Sequence, residues 1–366
     1  MLLAVTQPGS ERGSMGRYAE LLAHSLWHFQ DEALQVDVSA KFLALPLGKP
    51  KWLPMALYGW LNHIWLYLTA RLRLLTSGAD LVHILDGSYA YVAARGGPAT
   101  VATVHDVIPW LKYRGHFGPD RVSLAASILI KRAFAGLRRC DHLLADSENT
   151  AQDLEEHSGI QPANVSVVPV ALASPFCDAA TDTLHERSIA VDQPFMLHVG
   201  NNRFYKNRAG VIRIFARLYE QPDLQLVMAG AAPRAALIEQ INDLSLQGRI
   251  VFVEDIDDKG LMQLYTSAAL LLFPSLYEGF GWPPLQAMAC GCPVVCSSEG
   301  SLPEVAGPAA LMAPAADEAA LAELCRSVLA DPAQAERMSR EGRAHAQTFT
   351  MERMAQQTMS VYMSAL

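Results

Sequence analysis

The chain has 366 residues, too many for one ordinary core and well suited to two domains of middling size. Hydrophobic residues make up 51% and charged residues 18%, which excludes a disordered chain. The formal charge is -8 and unevenly spread: residues 1–170 hold 15 basic and 15 acidic side chains, the remainder 14 and 22, so general nucleic-acid binding, which needs a basic footprint, is excluded.

Short β-prone runs recur along the chain with helical stretches between them. The first part offers Leu2–Thr6, Ala79–Leu85, Ala99–His105, His142–Ala145 and Val165–Val170. The second offers Phe195–Val199, Leu224–Ala229, Arg249–Val253, Ala269–Phe273, Pro293–Cys296 and Ala310–Met312. Runs such as LLLF and IVFV are continuously apolar, as parallel strands covered on both faces are. The alternation predicts two doubly wound α/β domains, with a cleft at the C-terminal ends of both sheets where ligands of this architecture bind. Between Ser174 and Gln193 the pattern lapses, which sets the domains at 1–175 and 193–350 with a linker over 176–192. A last helical stretch, 351–366, has no following strand and is expected to pack back on the first domain.

Two stretches of the first domain point outward. Residues 53–75 are rich in Leu, Trp and Tyr but carry Pro54, Asn62, His63, Arg71 and Arg73, so a clean span of ~20 apolar residues is not available. They read either as a helix lying on a bilayer surface, with Trp60, Trp65 and Tyr67 at the interface and Lys49, Lys51, Arg71 and Arg73 near headgroups, or as a core helix. Lys112, Arg114, Arg121, Lys131, Arg132, Arg138 and Arg139 form a local basic patch, suited to anionic lipid or a phosphate-bearing acceptor, or to a solvated helix face. Met1 leads straight into a strand-like run without a signal-peptide pattern, so a reduced, cytoplasmic setting is expected for the six cysteines. Of these, Cys290, Cys292 and Cys296 have no fourth Cys or His nearby and flank a strand-like Pro-Val-Val, so no metal site is expected.

The most informative segment is FPSLYEGFGWPPLQAMACGCP, from Phe273 to Pro293. A hydrophobic strand ends, Glu278 enters a Gly279-Phe280-Gly281 turn, and Pro283-Pro284 opens a helix at positions whose amides lack intrahelical partners. Such a turn presents N–H groups and a positive dipole end to a phosphate. Glu278 at its mouth is placed to accept from sugar hydroxyls, or to act as a simple capping carboxylate. Gln286, two helical turns on, has an amide within reach of a ribose.

This segment resembles the signature of glycosyltransferase family 4, a family of retaining enzymes with the GT-B fold, in which two Rossmann-like domains face each other across a cleft. The resemblance puts the donor-sugar carboxylate of that family on Glu278, and its ribose carboxylate on Gln286, a departure that gives up the charge-assisted acceptor. HVGNNRFYKNRAGVIRIF resembles the family's opening of the donor domain, where a Lys six positions after Gly200 neutralises the diphosphate; here it is Lys206. Asn201 replaces the Arg common after that glycine, and Arg203 is the substitute cation. Ser301 and Leu302, beside Glu304 in SSEGSLPEVAGPAALMAPAAD, match a second helix start whose amides add donors. In the first domain GSMGRYAELLAHSL matches the Gly-rich loop, with Gly13 and Gly16 allowing close backbone approach and Ser14 in place of a glycine. ATVHDVIPW puts His105 and Asp106 at the lip of the cleft, although His105 also reads as an ordinary buried histidine, Lys206 as a surface lysine and Asp106 as a helix cap.

The resemblance implies a retaining glycosyltransferase whose donor is a nucleotide-diphosphate sugar. Lys206, Arg203 and the turn amides would hold the diphosphate, Glu278 the sugar, and His105 would contact the sugar or steer the acceptor. No metal or other cofactor is expected. The cast of HDVIPW and YKNR is similar to bacterial polysaccharide mannosyltransferases, which makes GDP-mannose the first donor expected and UDP-glucose or UDP-N-acetylglucosamine the second. The acceptor expected is a glycan or a polyprenyl-diphosphate-linked glycan, with peripheral contact to anionic lipid at the inner face of the cytoplasmic membrane. A non-catalytic nucleotide-sugar binder and a sugar-nucleotide epimerase are the rival readings; a dehydrogenase is disfavoured, since no Gly-x-Gly-x-x-Gly follows the first strand of either domain.

Overall fold

The computed structural model describes residues 2–5, 14–29, 40–43, 55–76, 78–93, 96–118, 122–173, 176 and 194–366. The chain divides into two units, one formed by Met1–Ala171 together with Thr350–Leu366, the other by Leu172–Phe349. Apart from Phe176, the linker expected over 176–192 lies outside the described residues.

In the first unit six strands form one sheet: β1 (Leu2–Val5), β2 (Ala40–Leu43), β3 (Leu81–Ile84), β4 (Ala99–Val104), β5 (His142–Ala145) and β6 (Val165–Val167). Their order is β2-β1-β3-β4-β5-β6 and every pairing is parallel. Strand β2 is the one the sequence pattern did not predict. The apolar strands β3 to β5 are buried almost throughout, as continuous hydrophobic runs require when helices cover both faces. Helix α1 (Ser14–His28) buries Tyr18, Leu22 and Leu26, and α2 (Met55–Thr76) buries Asn62, Leu66 and Ala70, both at the spacing of one helical face. Helices α3 (Ile108–Tyr113), α4 (Leu124–Leu137) and α5 (Glu148–Ser158) follow. Ser147 accepts a hydrogen bond from the Thr150 amide at 3.1 Å, which satisfies one orphan donor and fixes the start of α5 directly after β5.

In the second unit the strands are β7 (Phe195–Gly200), β8 (Gln225–Gly230), β9 (Ile250–Val253), β10 (Leu270–Phe273), β11 (Val294–Ser297) and β12 (Ala310–Ala313). The order β12-β11-β10-β7-β8-β9, all parallel, reverses its winding between β7 and β10. A reversal of this kind opens a crevice beyond the C-terminal ends of the two central strands, since their following segments depart to opposite sides. The helices are α6 (Arg208–Ala216), α7 (Ala235–Asp243), α8 (Asp258–Ser267), α9 (Trp282–Ala289), α10 (Leu302–Val305), α11 (Glu318–Ala330) and α12 (Pro332–Ala346). Met196, Leu226, Met228, Leu270 and Leu272 of the strands pack on Val211, Phe215, Leu321 and Cys325 of α6 and α11. At roughly 1.5–3 kcal/mol for each large apolar side chain taken from water, this core holds the sheet ends rigidly enough to carry a site.

The last helix, α13 (Met351–Ala365), starts where Thr350 accepts from the Arg353 amide. It buries Met354, Ala355, Thr358, Val361 and Tyr362, packs on α1 and β4, and belongs to the first unit. Cys290, Cys292, Cys296 and Cys325 are buried free thiols, and burial pushes those of Cys290 and Cys296 up to about 12, so they behave as small apolar side chains. Among the described residues no group of three or more His, Cys, Asp or Glu side chains is placed to hold a metal ion, and no helix is long and apolar enough to cross a membrane.

Candidate active site

The winding reversal of the second sheet puts the loops after β7 and β10 side by side. Strand β7 ends at Gly200, and a short turn over Phe204–Lys206 follows. Asn207, at φ 50, breaks that turn and caps α6, accepting from the Gly210 amide at 3.2 Å. Its amide donates to the Pro274 carbonyl at 2.9 Å, and the Leu276 amide donates to the Tyr205 carbonyl at 2.7 Å. The two loops are thereby stitched together, and Lys206 faces Glu278. The ammonium lies 2.8 Å and 3.0 Å from the two carboxylate oxygens, with side chains only 13% and 8% exposed. Lys206 Nζ also sits 5.0 Å from the centre of the Phe273 ring, a cation–π contact that steadies it further.

Glu278 is held by what surrounds its backbone. Gly300, at φ +59, passes so close that a Cβ there would stand 2.6 Å from the Glu278 carbonyl oxygen, a distance no side chain tolerates. The Ser301 amide donates to the same carbonyl at 3.1 Å, and Ser301 Oγ lies 2.7 Å from the Phe280 carbonyl and 3.1 Å from that of Glu278. Gly281, at φ +103, forms the N-cap of α9, and a Cβ on it would meet Leu302 Cδ2 at 2.9 Å. Gly279, Phe280 and Gly281 therefore form the expected turn between the carboxylate and a helix opened by prolines.

Other expected residues fall differently. The Ser301 and Leu302 amides bond inside the turn, the latter to the Glu299 carbonyl at 3.3 Å, so they brace the loop carrying Glu278. The helix they begin is only four residues long, and Glu304 on it is exposed. Gln286 is half-buried on α9 and its side-chain carbonyl accepts from the Tyr265 hydroxyl at 3.3 Å. Asn201 accepts from the Arg203 amide at 3.0 Å, shaping the loop. Arg203 is exposed and lines a separate pocket of about 260 Å³ with Phe204, Arg208 and Arg234. Arg208, which the sequence reading passed over, is buried and donates to Asn202 and, at 2.9 Å, to the Ala231 carbonyl, tying the loops after β7 and β8.

In the first unit three neighbouring strand ends converge on His105. The residue follows β4; its Nδ1 lies 2.5 Å from Asp146 Oδ2, beyond β5, and its Nε2 donates to the Leu85 carbonyl, beyond β3, at 2.8 Å. Tyr18 of α1 meets the ring edge-on at 4.6 Å. Burial by itself lowers the His105 pKa, but the Asp146 carboxylate, by charge and hydrogen bond, and Asp86 outweigh it and raise the value to about 9. Behind this pair Thr103 Oγ1 lies 2.9 Å from the Tyr18 hydroxyl and 2.7 Å from His83 Nε2, and His83 Nδ1 lies 2.6 Å from the Tyr362 hydroxyl of α13. Burial, helped by the His105 charge, pushes His83 down to about 3, so it is neutral. Asp106 accepts from the Ile108 amide at 2.8 Å, a short turn that leads into α3. Gly16 is buried in α1, and Gly13 lies outside the described residues. Asp146, Asp86 and Leu85 were not picked out from sequence; Asp146 sits in a capping segment, Asp-Ser-Glu, where it reads as an ordinary helix-start acid.

Residues 26–172 match the family model Glycosyltransferase Family 4, and residues 181–345 match Glycosyl transferases group 1. The O-antigen chain mannosyltransferase B of Escherichia coli is 32% identical over 174 residues, 46% of either chain. The MMP alpha-(1->4)-mannosyltransferase of Mycolicibacterium hassiacum is 30% identical over 238 residues, 63% of this chain and 55% of that one. The matched region thus spans about half the length of these curated relatives. Among solved structures, Alr3699/HepE of Anabaena in complex with UDP-glucose superposes with a TM-score of 0.71 at 18% identity, covering 99% of each chain. The two parallel-sheet units are those of the GT-B fold expected from the sequence.

Proposed function

The chain belongs to glycosyltransferase family 4, and from that premise we propose that it is a retaining hexosyltransferase, moving mannose from GDP-mannose to a glycan or polyprenyl-diphosphate-linked glycan of a bacterial polysaccharide. The observation that carries the reading is the Lys206–Glu278 pair at the winding reversal of the second sheet. A diphosphate entering there takes the ammonium, and the released carboxylate turns to the sugar hydroxyls. As the bond from the anomeric carbon to the phosphate oxygen breaks, charge grows on that oxygen, and a fixed cation in a poorly solvated site stabilises it. The acceptor hydroxyl attacks from the face the nucleotide leaves, its proton passes to the departing phosphate oxygen, and configuration is retained. His105 contacts the sugar or steers the acceptor. The chemistry asks for charge stabilisation rather than a strong base or a metal.

The mannose assignment rests on the two mannosyltransferase relatives at about 30% identity. A UDP-hexose donor is the second reading, favoured by the likeness to a protein seen with UDP-glucose. Thermal shift across GDP-mannose, UDP-glucose and UDP-N-acetylglucosamine, followed by transfer and slow donor hydrolysis with the one that binds, tests both. A donor that binds but is neither transferred nor hydrolysed selects the non-catalytic binder instead.

The same reading has the chain working in the cytoplasm against the membrane's inner face. Leu57, Leu61, Ile64, Trp65, Leu68 and Leu72 of α2 are exposed at helical spacing, with Arg71 and Arg73 beside them, the pattern of a helix lying in a lipid interface. Co-sedimentation with anionic vesicles that weakens with salt is the expected result; none at low salt removes the membrane without touching the transferase.

A further inference from the structure

We propose that Asp146 is a positioning residue that keeps His105 as a doubly protonated imidazolium, so that the first unit offers the reaction a fixed cation and no general base. The argument is one of donors and acceptors. A backbone carbonyl only accepts, so His105 Nε2, 2.8 Å from the Leu85 oxygen, must carry a proton. Nδ1 and Asp146 Oδ2, 2.5 Å apart, share one proton, and the charges of Asp146 and Asp86, which raise the His105 pKa to about 9, hold it on the nitrogen. Both ring nitrogens are thereby protonated and neither is left to take a proton from an acceptor hydroxyl. The pair is nearly dry, with side chains 10% and 4% exposed. Asp146 Oδ1 is buried and accepts no hydrogen bond among the described residues, so the imidazolium is what balances this carboxylate.

Among the described residues, the titratable groups facing His105 are Asp146 after β5, Asp86 after β3, His83 of β3 and Tyr18 of α1. His83 is held neutral, its two nitrogens engaged by Thr103 and Tyr362, and burial keeps the Tyr18 hydroxyl well above its usual value, so both remain uncharged through the neutral range. The charges of Asp146 and Asp86 favour the cation. An Asp146→Asn change removes the charge and offers Nδ1 a carbonyl or an amide, so that either state of the ring finds a partner, whereas Asp146→Glu keeps the charge and shifts it.

The inference rests on the transferase reading for its kinetic arm alone. In nitrogen-resolved NMR of the intact protein, wild-type His105 is expected to show both ring nitrogens protonated at pH 7 and to titrate only above about pH 8, while in Asp146→Asn the midpoint falls to about 6.5 or below. A neutral tautomer of wild-type His105 at pH 7 overturns the proposal, and that spectrum needs no variant. In transfer assays the wild type and Asp146→Glu are expected to hold a level rate from pH 6 to 8. Asp146→Asn is expected to lose at least about ten-fold across the same interval and to recover as the pH falls, as a group titrating near 6.5 requires. Equal loss at every pH from a folded Asp146→Asn protein assigns Asp146 to the scaffold and overturns the proposal. If the wild type transfers no sugar from any donor, the functional reading falls, while the NMR result still decides the state of His105.

Discussion

Removing Lys206 tests the site and its energetics together. At 2.8 Å and an effective dielectric near 20, the pair attracts by about 6 kcal/mol before desolvation is charged against it. Both side chains are nearly buried, so much of that attraction offsets the cost of leaving water. The larger consequence of Lys206→Met is a buried Glu278 carboxylate with its cation gone, expected to cost about 3–5 kcal/mol. In a unit of this size that lowers Tm by roughly 6–20 °C. Glu278→Gln strands the ammonium and costs somewhat less, since Lys206 is the more exposed partner. The double variant removes both charges together and is expected to return to within about 1–2 kcal/mol of wild type. Transfer behaves oppositely: either single change and the double are each expected to lose at least about 100-fold, roughly 3 kcal/mol of transition-state stabilisation. Calorimetry gives the stability cycle and product formation the kinetic one. Tm values unchanged in both single variants refute the picture of a buried, mutually dependent pair, and a double variant with near-wild-type rates refutes its role in transfer.

Three other consequences follow from particular residues. Gly300→Ala is expected to destabilise by about 2 kcal/mol or more and to lower transfer, because its Cβ displaces the Glu278 backbone; an active variant of wild-type Tm contradicts the close approach. Gln286→Glu, which gives the ribose position a carboxylate, is expected to tighten donor binding several-fold in calorimetric titration while the Tyr265 hydroxyl keeps its acceptor, and unchanged binding removes Gln286 from the donor site. The first unit should be most stable near pH 6.5. The raised His105 pKa contributes stability that is complete below about 6.5 and lost as pH rises through about 9, whereas the depressed His83 value contributes stability lost as pH falls from 6.5 toward about 3. A Tm for this unit that rises between pH 7 and 9 contradicts the His105–Asp146 pair.

What the sequence disclosed and what it hid have physical causes. Strands such as β10, Leu-Leu-Leu-Phe, announce themselves because a strand covered on both faces must be apolar throughout. Strand β2, Ala-Lys-Phe-Leu, gives neither a continuous apolar run nor strict alternation, so nothing in its four residues separates it from loop. The Lys206–Glu278 meeting was foreshadowed by two motifs that follow β7 and β10, strands far apart in the chain, yet their contact depends on the winding reversal that makes these strands neighbours, which no local pattern states. Ser301 looked like a ligand donor because it opens a helix; only the fold shows its amide spent on Glu278. Asp146 stayed hidden for the opposite reason: an acid before a helix has an ordinary local role, and its partner is 41 positions away.

The most direct test is a crystal structure of the protein with GDP-mannose or, failing occupancy, UDP-glucose. The account predicts a diphosphate oxygen within about 3 Å of Lys206 Nζ, with the Glu278 carboxylate turned onto sugar hydroxyls. Diphosphate bound elsewhere, with the lysine and glutamate still locked on each other, contradicts it.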